Sequence, residues 1–173
     1  MALRHRPVPE CQIPVDIILR SSDGSLIGAH KANLENYSEV FPPSDSVSTS
    51  SEPVDLSETA VTLNLLMHFV HKTQYPDILD LKEKELFALA NAAEKYVMHN
   101  AMGMCRLCIQ ARLQDFPVAA LAYAVMYGYT KIANKAAPLT LGKDSVTMSQ
   151  ALTTDRGMYA WASPNQPYIA TMI

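Results

Sequence analysis

The feature that most constrains this chain is a change of apolar period near residue 30. Before it, Val15-Asp16-Ile17-Ile18-Leu19-Arg20 is a short run rich in β-branched side chains, Ser22-Asp23-Gly24-Ser25 supplies turn chemistry, and Leu26-Ile27-Gly28-Ala29 resumes the apolar run. Residues of that kind, interrupted by Asp-Gly, fold as an antiparallel hairpin. After it the spacing becomes helical, apart from Val54-Asp55-Leu56, which is short enough to be an edge strand. Strands followed by stacked helices define an α+β domain.

The first helix is expected over His30 to Tyr37 and is stopped by Phe41-Pro42-Pro43. A Ser-, Asp-, Thr- and Pro-rich stretch from Pro42 to Pro53 reads as an exposed loop. Ser57-Glu58 is expected to cap a second helix in which Val61, Leu65, His68 and Phe69 share one stripe, widened by Leu66 and Val70. Tyr75-Pro76-Asp77 breaks the chain, and Leu86, Leu89, Ala90, Ala93 and Val97 mark a third helix. A corner is expected at Asn100-Ala101-Met102, before a helix from Met104 to Leu113. Helical segments are then expected over Val118 to Tyr127, Lys131 to Leu141 with a break at Pro138, and Ser145 to Leu152. Ala119, Ala120, Ala122 and Ala124 would let such helices approach closely. The expected organisation is an N-terminal arm over 1–12, a main domain over 13–114, a helical extension over 115–155 and a tail over 156–173 that frays or docks around Trp161.

The 173 residues, 49% of them hydrophobic, suffice for one self-supporting core and a small annex. A formal charge of −3 leaves no excess of Lys and Arg to neutralise phosphates, so nucleic acid is not an expected partner. Nor is a membrane: no segment approaches the roughly 20 apolar residues of a span, and Met1 to Pro7 has basic residues without an apolar run behind them. Cys11, Cys105 and Cys108 cannot all pair with one another, which favours reduced thiols and a cytoplasmic or nuclear setting. The sequon Asn36-Tyr37-Ser38 is then accidental.

Chemistry-bearing residues are few. His68-x-x-His71 and Cys105-x-x-Cys108 have spacing that would put pairs of zinc ligands on one helix face. The blander reading is favoured, with both cysteines acting as small hydrophobes and no metal or cofactor bound. A thiol enzyme lacks a flanking glycine-rich elbow, and no phosphate-cradling loop is present, so no catalytic residue is assigned. His30-Lys31 reads as a structural pair at a helix start, and Met67, Met98, Met102, Met104 and Met126 read as core filler.

The succession Val15-Asp16-Ile17-Ile18-Leu19, Asp23-Gly24, Gly28-Ala29-His30-Lys31, Leu34 and Ser38-Glu39-Val40-Phe41 resembles the N-terminal signature of the BTB/POZ family. The resemblance continues through Val54-Asp55-Leu56, Leu63 to Tyr75, and Leu86, Leu89, Ala90, Ala93, Lys95, Tyr96 and Cys105, covering Pro14 to Leu113. The Ala-rich remainder is similar to helical tails of fungal members, whereas His71-Lys72-Thr73-Gln74-Tyr75 departs from the usual turn after the central helix. The resemblance implies a hairpin and short strand on a cluster of helices with a helical extension, and a non-enzymatic module for protein partners. It implies a homodimer face at Ile13, Val15, Ile17, Leu34 and Tyr37, and a face for a cullin-type ubiquitin ligase scaffold at Phe69, His71, Tyr75, Ile78 and Leu79. With no kelch, zinc-finger or MATH-like domain in this sequence, recruitment would fall to the helical annex or a longer relative. A regulatory scaffold without cullin binding is the alternative, and a zinc- or thiol-dependent enzyme a more distant one.

Overall fold

In the computed structural model, residues 8, 11–44 and 52–162 are described. The expected arm over 1–7 and 9–10, the centre of the Ser-rich loop over 45–51 and the end of the tail over 163–173 lie outside them. The chain adopts the expected α+β class. It divides into two compact units, 1–106 and 107–173, with the division falling inside a helix.

In the first unit, β1 (Ile17–Arg20) pairs antiparallel with β2 (Leu26–Ala29), placing Leu19 opposite Ile27. Gly24, with φ of +82°, makes the turn, a conformation open to glycine because it has no Cβ. β3 (Val54–Asp55) joins β1 in parallel, giving the order β2-β1-β3 with both β3 residues exposed. Leu19 and Ile27 point into a core shared with Leu34, Leu63, Leu66, Phe69, Leu86 and Leu89.

Helix α1 (Lys31–Tyr37) begins where Asp16 Oδ1 accepts from the Lys31 backbone N–H at 2.8 Å, so the carboxylate before β1 satisfies a donor at the helix start. Asp23 is spent elsewhere, accepting from the Ala60 N–H at 3.1 Å. Helix α2 (Ala60–His68) is capped by Thr59, whose hydroxyl accepts from the Thr62 N–H, and not by Ser57-Glu58 as expected. Its buried face matches the expected stripe only in part: Leu66, Phe69 and Val70 are buried as expected, with Thr62, Leu63 and Met67 beside them, while Val61 is 55% exposed. The segment is apolar around much of its circumference, so several stripes fit a 3.6 period and only tertiary packing selects among them.

Helix α3 (Glu83–Lys95) buries Leu86, Leu89, Ala90 and Ala93, and its acidic first turn and Lys95 in the last turn complement the helix dipole. The corner expected at 100–102 lies instead at Tyr96-Val97-Met98, where Val97 has φ of +48°. Helix α4 (His99–Ala111) starts earlier than the expected Met104.

In the second unit, α5 (Pro117–Met126) carries proline in its first turn, where the missing N–H costs nothing, and packs on α6 (Thr130–Ala136) through Ala120, Leu121, Ala124, Ile132, Ala133 and Ala136. Pro138 falls in a 3-10 turn over Ala137–Thr140, followed by α7 (Ser145–Ala151) and α8 (Asp155–Ala162). The tail expected from 156 is therefore helical to Ala162. Trp161 donates its indole N–H to Thr140 Oγ1 at 3.0 Å, an anchor that a scan for local period does not register.

Candidate functional site

The residues of the expected dimer face differ in exposure. Ile13 is 50% exposed, Val15, Ile17 and Tyr37 are half-buried, and Leu34 is only 1% exposed and belongs to the core. Ile13 and Tyr37 line one cavity of about 670 Å³, together with Asn33, Asn36, Lys72 and Thr73. Ile17 and Leu34 line a separate cleft of about 90 Å³ with Phe41 and Val54. Val15 lies under β2, where a Cβ on Gly28 would approach Val15 Cγ2 to 2.9 Å.

The expected scaffold face divides in the same way. Phe69, His71 and Ile78 are buried, leaving Tyr75 at 39% and Leu79 at 49% exposure as its accessible members. Tyr75 is stacked on Phe69 with ring centroids 4.8 Å apart, and Asn100 Nδ2 donates to the Phe69 carbonyl at 2.7 Å. The exposed tyrosine is thus held in place from beneath.

A cluster of different origin lies against the larger cavity. His30 sits between β2 and α1, with Nδ1 donating to the Pro14 carbonyl at 2.9 Å. His71 follows the last turn of α2, and its Nδ1 donates to the Met67 carbonyl at 2.6 Å. The two rings meet edge to face at 5.2 Å, and Cys11 Sγ lies 3.3 Å from His30 Nε2. A carbonyl accepts only, so each Nδ1 carries a proton, and in its neutral form each ring keeps an Nε2 lone pair. Burial pushes the His71 pKa down; the Met67 carbonyl pulls it up, and the neighbouring His30 and His68 push it down again, leaving it below the ordinary value.

Local spacing pointed to other partners for His71. Cys105 and Cys108 are both buried in α4, and among the described residues the group of His, Cys, Asp or Glu close enough to share an ion is Cys11, His30 and His71. These come from sites up to 60 positions apart, and no local motif announces them. Of the methionines read as core filler, Met67 and Met98 are fully buried, while Met126 is exposed.

Among the described residues no helix is long and apolar enough to cross a membrane. No family model matches the chain. It is similar to a BTB/POZ domain-containing protein of Arabidopsis thaliana, with 34% identity over 100 residues. The match covers 54% of this chain and 35% of the relative, so the chain spans about a third of that protein's length. The relative is a plant protein and lends no support to a specifically fungal kinship. Its name and the hairpin, edge strand and helices described above agree on one point: the chain has an α+β fold compatible with the BTB/POZ arrangement and is similar to a protein that carries that domain.

Proposed function

We propose that this chain is a protein-protein interaction module of BTB/POZ type whose first partner is a second copy of itself. The observation that carries this reading is the similarity to a BTB/POZ domain-containing protein, in a chain with the hairpin, short strand and helices such a domain uses. The proposed isologous contact, the commonest type in homo-oligomers, uses exposed Ile13 and half-buried Val15, Ile17 and Tyr37, with Leu34 supporting them from the core. Its chemistry is apolar, in keeping with interfaces that derive their stability from desolvated aliphatic and aromatic side chains.

The experiment is light scattering on the purified chain over a concentration series. A mass twice the 19.1 kDa of one chain, falling to that of one chain in Ile13→Asp with an unchanged circular dichroism spectrum, supports the reading. A single-chain mass at every concentration overturns it.

A second role, bridging a partner to a cullin-type ubiquitin ligase scaffold, is favoured by the exposed Tyr75, braced on Phe69, and by the exposure of Leu79. Co-migration with a cullin N-terminal fragment, abolished by Tyr75→Ala with Leu79→Asp, supports it. A chain that ignores the fragment is instead a regulatory scaffold without cullin binding.

A further inference from the structure

We propose that Cys11, His30 and His71 form a binding site for a zinc-class divalent cation. The three potential ligand atoms, one thiol sulfur and one nitrogen from each imidazole, lie within 4.8 Å of one another. In a tetrahedral zinc site, bond lengths near 2.0–2.3 Å put neighbouring ligand atoms about 3.3–3.6 Å apart. The observed Cys11 Sγ to His30 Nε2 separation of 3.3 Å is already at that spacing, and the group as a whole needs only about an ångström of contraction.

The hydrogen bonding around the rings is what a metal site requires. Metal-bound histidines characteristically donate their other ring N–H to a carbonyl or carboxylate, which fixes the tautomer and aims the remaining lone pair. Here both rings do so, His30 to the Pro14 carbonyl and His71 to the Met67 carbonyl. Both histidines are buried, 5% and 6% exposed, so their orientations are set by the fold rather than by solvent. The ligand set also spans the unit: Cys11 precedes β1, His30 opens α1 and His71 follows α2.

Binding needs one proton to leave. The imidazoles bind through lone pairs without losing a proton, while the Cys11 S–H bond breaks as the sulfur–metal bond forms and its proton passes to solvent. One thiolate and two imidazoles suit a borderline cation such as Zn²⁺, and three protein ligands leave a fourth position for water. Cys11 and His71 both line the larger cavity, from which that water is reached. Such an ion would tie the segment around Cys11 to the start of α1 and the end of α2. None of its ligands comes from a second copy, although the cavity beside them is also lined by Ile13 and Tyr37 of the proposed dimer face.

The test is titration of the reduced, full-length chain with Co²⁺, a spectroscopic stand-in for Zn²⁺, followed by displacement with Zn²⁺. The expected result is one equivalent bound, with tetrahedral ligand-field absorption and a thiolate-to-cobalt charge-transfer band. In Cys11→Ser the charge-transfer band disappears and affinity falls more than about 100-fold, while the circular dichroism spectrum is unchanged. Cys105→Ala with Cys108→Ala keeps the band. Absence of stoichiometric binding overturns the proposal, and so does a charge-transfer band that survives in Cys11→Ser.

Discussion

Glu58 shows how one side chain can join distant parts of the first unit. Its carboxylate accepts from Lys95 Nζ at 2.8 Å and from the Tyr96 hydroxyl at 2.5 Å, linking the segment before α2 to the end of α3. Burial pushes the Glu58 pKa up, but the hydrogen bonds from Lys95 and Tyr96 outweigh it and leave the value below the ordinary 4.5. Burial and the same carboxylate keep the Tyr96 phenol protonated far into the alkaline range. A depressed folded-state pKa means that, below about the ordinary value, the unfolded chain takes up more protons than the folded one. The stabilisation from Glu58 is therefore complete above 4.5 and lost as pH falls through the lowered folded value. Glu58→Gln should accordingly destabilise the protein at neutral pH and have a progressively smaller effect in acid. Urea denaturation of both proteins over a pH series checks this, and a difference independent of pH contradicts it. The residue was legible only as an acidic group near a helix start, because Lys95 and Tyr96 lie far away in sequence.

Between α3 and α4 the chain reverses through Val97, which holds φ of +48°. A left-handed backbone at an L-residue costs about 1–2 kcal/mol, and β-branching makes it worse. Val97→Gly removes that strain and gives back part of the gain through the greater freedom of the unfolded chain, so the expected outcome is a stabilisation of up to about 1 kcal/mol. Thermal denaturation reads this directly, and a lowered Tm would show that the packing of the half-buried valine outweighs its strain. A pattern of periodic apolar residues runs through Val97 without interruption, which is why the sequence suggests that α3 extends over it and that the corner comes later. Asn100 supports the observed arrangement, donating to the Phe69 carbonyl and accepting from the Ala101 N–H at 2.9 Å at the start of α4. The hairpin is the opposite case: Asp23-Gly24 and the alternation around it specify β1, β2 and their register locally.

Across the whole chain, each compact unit has its own buried core, and the single tryptophan belongs to the second. Thr140 is fully buried there, donates to the Ala137 carbonyl at 2.7 Å and accepts from the Trp161 indole at 3.0 Å. Thr140→Val keeps the shape but strands both partners, at a cost of about 1–3 kcal/mol. Trp161 fluorescence should report the loss as a transition at lower denaturant concentration, and an unmoved midpoint would show that water replaces the hydroxyl. By itself the sequence determined the α+β class, the hairpin, the succession of helices and the likeness to a BTB/POZ protein, because these rest on turn chemistry, apolar period and short signatures that neighbouring residues carry. Tertiary structure alone decided which further residues of α2 are buried, that Leu34, Phe69 and Ile78 lie in the core, and that Cys11, His30 and His71 meet. Each of those depends on packing and hydrogen bonds between residues far apart in the chain, and a local pattern compatible with several packings cannot choose among them.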